Sequence, residues 1–186
     1  MHKKLKTIIF ISFYFTNMNY AVVTSRFTNE TLYSNYSYRA KKGFTCMYCT
    51  PLELSPKIPY NTPVFVIEMN NSTNKIEGIG FIKNKPEINK YYKVYADSNT
   101  NRYTYIGKHY ISREIIDEYH PLLVYLLEQI LFKGYTHSKR GAGLTLFPDK
   151  IQQNYTECEG INVKSEIKKI FIHHFREKEE TITNKK

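Results

Sequence analysis

The stretch that most restricts this chain is Pro63 to Ile82, PVFVIEM-NNSTN-KIEGIGFI. Val64, Val66 and Ile67 are β-branched, and apolar residues fall on both faces of residues 64–69, the pattern of a buried strand. Residues 70–74 have turn composition. Residues 75–82 read as a returning strand, so the pair forms an antiparallel hairpin. Gly78 and Gly80 sit two apart and leave one face of that strand bare, which implies a close backbone approach, a bulge or a bend in a small barrel. Upstream, Pro51, Pro56, Pro59 and Pro63 exclude a long helix and a central strand.

The flanking segments follow from the same reasoning. Residues 20–24 are a short strand candidate whose exit is Ser25-Arg26. Residues 27–45 are polar and aromatic and read as loop with at most one helical turn. Residues 91–96 and 102–106 read as a second hairpin across Asp97 to Asn101, with Tyr92, Val94 and Ala96 on one face. Ser112 is placed to cap a helix over 113–119. Pro121 opens a second helix with a broad apolar face, Leu122, Leu123, Leu126, Leu127, Ile130 and Leu131, and Gly134 suits the left-handed position that ends it. Asn162 is placed to cap a last helix with Val163, Ile167, Ile170, Phe171 and His174 at helical spacing. The expected fold is α+β: a small, mostly antiparallel β-barrel or curled sheet with flanking helices.

The 186 residues suit one domain at 18–175. Residues 1–17 form an apolar and basic extension, and the charged segment 176–186 is expected to be disordered. The extension reads two ways. Lys3, Lys4 and Lys6 followed by Ile8 to Phe15 resemble a signal peptide with a short apolar region. Alternatively, the domain begins at Met18 and the leader is an upstream extension. The apolar run is too short to span a bilayer, which takes roughly 20 residues, so no membrane partner is expected unless this segment is kept as an anchor. The sequons at Asn29, Asn35, Asn70, Asn71 and Asn154 matter only on the secreted reading.

The formal charge is +10, and the isoelectric point is about 9.3. Such an excess favours a polyanionic partner. Its focus is KGYTHSKRGAGLTLFP, residues 133–148. Glycines let a backbone turn its N–H groups toward an anion, and Lys139 and Arg140 add charge beside Gly141 and Gly143, which add no bulk. His137 lies in the same stretch, and Arg140 is able to hold a phosphate with two donors. The competing reading is a basic turn required by chain reversal. "RGAGLT" lacks the Lys-Ser/Thr of a phosphate-binding P-loop.

Other chemistry is weaker. Cys46 and Cys49 form a Cys-X-X-Cys read as structural thiols, as half of a metal site with Cys158 and His137, or as a redox pair. Pro51 follows at once, against the redox geometry, and the structural reading is preferred; no metal or cofactor is expected. His173 and His174 point about 100° apart on a helix and make a poor chelate. No carboxylate pair is placed by the sequence, so an enzyme is not expected. A hydrolase using His137 with nearby carboxylates is the remaining catalytic alternative.

YAVVTSRF, residues 20–27, followed by residues 46–82, resembles the front half of PUA-like domains, and the EVE and YTH branch has the nearest shape. The resemblance covers about a third of the chain. It implies a compact barrel with helices outside, and a reader of modified bases in RNA or DNA. By position Thr24, Ser25 and Arg26 would then line the mouth of the pocket. YTH domains cage the base with Trp; this chain has 17 Tyr and no Trp, so Tyr33, Tyr36, Tyr38 or Tyr48 would have to serve. Residues 18–148 also resemble proteins of large DNA viruses that infect amoebae, with HSKRGAG and FVIEMNN carrying the likeness. The expected function is therefore a non-enzymatic nucleic-acid-binding module for RNA or a modified base, in host cytoplasm or virion. The alternative is a virion or secreted structural protein.

Overall fold

The computed structural model describes residues 18–134, 137–148, 153 and 160–184. The leader 1–17, Cys158 and the sequon at Asn154 lie outside these residues. Strand β1 (Ala21–Phe27) is followed by helix α1 (Asn29–Lys42), then strands β2 (Cys46–Thr50), β3 (Pro63–Asn70), β4 (Lys75–Lys83), β5 (Tyr103–Gly107) and β6 (His109–Ser112). Helices α2 (Arg113–Tyr119) and α3 (Pro121–Phe132), strand β7 (Thr145–Leu146) and helix α4 (Val163–Asn184) complete the order.

Five strands form one sheet in the order β6-β4-β3-β1-β7, and β2 pairs with β5 in a separate two-stranded sheet. The β3–β4 hairpin is antiparallel as expected, with a register shift between Glu68 and Met69. β1 instead runs parallel to β3, Ala21 opposite Val64 through Phe27 opposite Asn70. The sheet is mixed, and the described strands form no closed barrel. The fold class is α+β.

Alternation along the strands divides the core into two sides. Val22, Phe65, Ile67 and Ile79 face helices α3 and α4, where Leu127, Ile130, Ile167 and Phe171 complete the packing. Val23, Val64, Val66 and Ile82 face the two-stranded sheet and meet Cys46, Tyr48, Tyr105 and Leu54. Fully burying side chains of this size contributes roughly 1.5–3 kcal/mol each.

Three expectations change. Residues 29–42 are a full helix, not a loop. Thr28 and Thr31 form a capping box, Glu30 lies in the first turn, Arg39, Lys41 and Lys42 lie in the last, and Gly43 closes it at φ 70°. Residues 91–96 do not pair with 102–106. The Asn101 carboxamide accepts from the Val94 and Tyr95 N–H groups, 3.0 Å each, and donates to the Tyr95 carbonyl at 2.7 Å. One buried side chain replaces the ladder, and β5 pairs with β2. Lastly, the segment 176–184, expected to be disordered, continues α4. The other helices stand where the sequence puts them. Asn162 caps α4 by accepting from the Ser165 N–H at 3.0 Å, and Gly134 has φ 77°. Among the described residues no helix is long and apolar enough to cross a membrane.

Candidate nucleic-acid interface

Parallel pairing brings the carboxyl ends of β1 and β3 side by side, Arg26 opposite Met69 and Phe27 opposite Asn70. The basic loop 137–144 returns across this edge before β7 pairs with Val23 and Thr24. Arg26 fastens the loop: Nε donates to the Ser138 carbonyl at 2.5 Å, Nη2 to Thr145 Oγ1 at 2.6 Å and Nη1 to the Gly143 carbonyl at 3.5 Å. Asn71 Nδ2 holds the Lys139 carbonyl at 2.9 Å. Thr24 Oγ1 lies 3.0 Å from Thr145 Oγ1. Gly143 has φ 68°, and a Cβ there would sit 2.5 Å from Thr50 Oγ1, so the close approach demands glycine.

This arrangement sorts the residues marked in the sequence. Thr24, Arg26, Gly141 and Gly143 come together in one cluster, the Arg26 guanidinium lying 3.5 Å from the place a Gly141 Cβ would take. Thr24 is fully buried and lines no mouth; Ser25 is half-buried. Each nitrogen of Arg26 donates to the loop or to β7, and burial lowers its pKa from the usual arginine value. His137 Nδ1 is buried and finds no hydrogen-bond partner among the described residues. Lys139 is half-buried; Arg140, Gly141 and Ala142 form the exposed tip. Among the described residues no carboxylate pairs with Lys139 or Arg140. The loop is thus a turn whose Ser138 and Gly143 carbonyls face Arg26, whose Lys139 carbonyl faces Asn71 and whose tip exposes Arg140.

A second polar cluster was not marked by the sequence. Glu68 is wholly buried. Its Oε1 accepts from Arg39 Nη1 at 3.1 Å and Tyr48 Oη at 2.8 Å; its Oε2 accepts from Tyr36 Oη at 2.9 Å and Tyr110 Oη at 3.2 Å. The Arg39 guanidinium lies over the rings of Tyr36 and Tyr110, 4.9 and 4.6 Å from their centroids. Burial first, then the Glu68 charge, pushes the Tyr36, Tyr48 and Tyr110 hydroxyls well above the usual phenol range, so all three keep their protons and donate. Burial works to lower the Arg39 pKa, but Glu68 and the neighbouring tyrosines raise it on balance.

The bare face of β4 makes room for this cluster. A Cβ on Gly78 would collide with the Tyr110 hydroxyl, and one on Gly80 would collide with the Tyr48 hydroxyl and lie 3.1 Å from Cys46 Sγ. The glycine pair was the legible trace of the cluster; the partners from α1, β2 and β6 were not. The tyrosines proposed as a cage do not make one. Tyr33 is 75% exposed while Tyr48 is 1% exposed, and Tyr36 and Tyr48 are committed to Glu68.

Cys46 and Cys49 lie on strand β2 at i and i+3, an odd separation that points them to opposite faces. Cys46 Sγ lies 3.4 Å from the His109 carbonyl, while Cys49 Sγ lies 3.3 Å from Thr104 Oγ1. Two thiols so turned cannot share a metal ion or a disulfide. Among the described residues no group of His, Cys, Asp and Glu is arranged to hold a metal. A cleft of about 900 Å³ opens between residues 52–60 and 84–89 and includes none of the loop residues above.

The fold and interface define an α+β protein with a mixed sheet and a basic loop fastened to its parallel-strand edge. No family model matches the chain, and neither a curated protein nor a solved structure matches it.

Proposed function

We propose that this chain is a non-enzymatic nucleic-acid-binding module that takes RNA, or a modified base within it. The observation that carries the proposal is the loop 137–143. It is anchored through Ser138, Lys139 and Gly143, and among the described residues no carboxylate pairs with Lys139 or Arg140. A loop already held in one shape loses little conformational freedom on binding, and unpaired cations on a chain of charge +10 attract a phosphate backbone. Arg26 acts in this scheme by positioning the loop, with Lys139 and Arg140 as the phosphate contacts. The resemblance of residues 20–27 and 46–82 to PUA-like readers of modified bases supports the same class.

Binding of a fluorescently labelled single-stranded RNA should weaken steeply between about 50 and 200 mM salt, because each neutralised phosphate releases counterions. Lys139→Ala/Arg140→Ala should weaken binding and flatten the plot of log affinity against log salt by roughly 1–2 in slope. Absence of binding at low salt, or a double variant indistinguishable from the parent, refutes the proposal. Asn35 and Asn70, at 0% and 3% exposure, leave no room for a glycan, so on the secreted alternative the described sequons open to one are the exposed Asn29 and the half-buried Asn71.

A further inference from the structure

The cleft between residues 52–60 and 84–89 is used by nothing described so far. Its floor is apolar: Leu54 and Ile58 are buried there with Tyr105, whose hydroxyl accepts from the Leu54 N–H at 3.0 Å. The fold holds its walls. Asn84, itself buried, donates to the Ile58 and Pro59 carbonyls at 2.7 and 3.3 Å, and its own N–H and carbonyl bond Thr62 and Asn61. The rim carries large apolar side chains turned to solvent, Leu52 at 59%, Tyr60 at 68% and Ile88 at 83% exposed. Concentrated exposure of this kind marks an interaction surface. At about 900 Å³ the cleft falls within the range of small-ligand sites, roughly 300–1,000 Å³.

Two observations point to its occupant. The cleft abuts the basic loop: Gly143 seats on Thr50, its Cβ position 3.8 Å from the Leu52 carbonyl, and Leu52 begins the cleft wall. The rim also carries the exposed Lys85. Its carboxylates, Glu53 and Glu87, line the cleft as well; they repel phosphate but accept hydrogen bonds from exocyclic amino groups of bases. A strand whose phosphates lie on Lys139 and Arg140 would therefore reach the cleft with its bases.

We infer that the cleft receives unpaired bases of a single-stranded nucleic acid, stacked against Tyr60 and Ile88, and that the loop 137–143 holds the adjoining phosphates. This inference rests on the nucleic-acid reading above and narrows it to single strands. A duplex keeps its bases inside and offers the cleft nothing to stack.

The test compares a twelve-nucleotide single strand with a duplex of the same length, by anisotropy, for the parent, Tyr60→Ala/Ile88→Ala and Lys139→Ala/Arg140→Ala. The parent should favour the single strand by about tenfold or more, and the Tyr60/Ile88 variant should lose about tenfold with an unchanged salt slope. A 2-aminopurine in the strand should be quenched on binding to the parent, a readout that needs no variant. Equal affinity for duplex and single strand, or an unaffected Tyr60/Ile88 variant, overturns this inference. If Lys139→Ala/Arg140→Ala still weakens binding in that case, the broader reading survives. No binding of either nucleic acid at low salt overturns both. A parent that is a dimer by light scattering and becomes monomeric on Ile88→Lys assigns the cleft to a second copy and also overturns the inference.

Discussion

Replacing Glu68 by glutamine keeps the shape of the side chain and removes its charge. Side-chain exposure is 0% for Glu68 and 8% for Arg39, and the ion pair spans 3.1 Å. Glutamine can still meet the three tyrosine hydroxyls, so the loss concentrates on Arg39, left as a buried cation without an anionic partner, held by the Thr45 carbonyl, the Asn35 carboxamide and the rings of Tyr36 and Tyr110. Breaking a buried pair from one side costs about 3–5 kcal/mol, a large share of a total stability of about 5–15 kcal/mol. With a urea dependence of about 2 kcal/mol per molar, the unfolding midpoint should fall by about 1.5–2.5 M. Equilibrium urea unfolding followed by circular dichroism measures this. In an Arg39→Met background the same exchange should cost at least ~1 kcal/mol less, because the stranded cation is gone. Should Glu68→Gln not fold, Tyr36→Phe removes one half-buried hydrogen bond to the carboxylate and should cost about 1.5–3 kcal/mol. A midpoint shift below about 0.5 M for Glu68→Gln, or equal costs in both backgrounds, would refute the reasoning that this pair joins α1 to the sheet.

Three further outcomes follow from the same structure. Burial pushes the Cys46 thiol up to about 12 and the Cys49 thiol up to about 11; in a Cys158→Ser background, alkylation by iodoacetamide at pH 8 should run roughly a hundredfold slower than for a free thiol, and labelling of either cysteine at the free-thiol rate contradicts the placement of β2. Burial, then Lys108, lowers the His109 pKa below 6.5, so the folded state prefers the neutral ring. Its contribution is fully present above pH 6.5 and is lost as the pH falls through the folded value, so His109→Gln should flatten the acid decline in stability, and an unchanged decline would remove the claim. Asn35 Nδ2 donates to the Met47 carbonyl at 3.0 Å and the Tyr95 hydroxyl at 3.2 Å; folded protein from a secretory host should show no glycopeptide at Asn35, and mass spectrometry finding one would mean that the helix is misplaced.

The elements whose signals are local were legible in the chain. Alternating β-branched residues around NNSTN set the β3–β4 hairpin, leucines at helical spacing set α3, and Gly78 with Gly80 announced a close approach. The proline-rich stretch 51–63 stayed free of long regular elements, as the missing N–H of proline requires. Helix α1 escaped because its inward face is polar: Tyr36 and Arg39 donate to a carboxylate contributed by β3 and Asn35 to the Met47 carbonyl and the Tyr95 hydroxyl, so the apolar periodicity that marks a helix is absent. The alternation over 91–96 did report burial, since Tyr92 and Val94 are inside, but pairing depends on which edge is free, and β2 took β5.

The interface divides in the same way. Charge and glycine in 133–148 were visible in the chain, whereas the use of Arg26 as the clasp of that loop arises only when β1 and β3 run parallel and bring position 26 beneath Ser138, Gly143 and Thr145. The cleft likewise depends on two loops, 52–60 and 84–89, that meet at the ends of strands β2, β3 and β4. Local order follows from a residue and its near neighbours; the partner of a buried charge or the far wall of a cleft comes from distant sequence, and packing alone selects it.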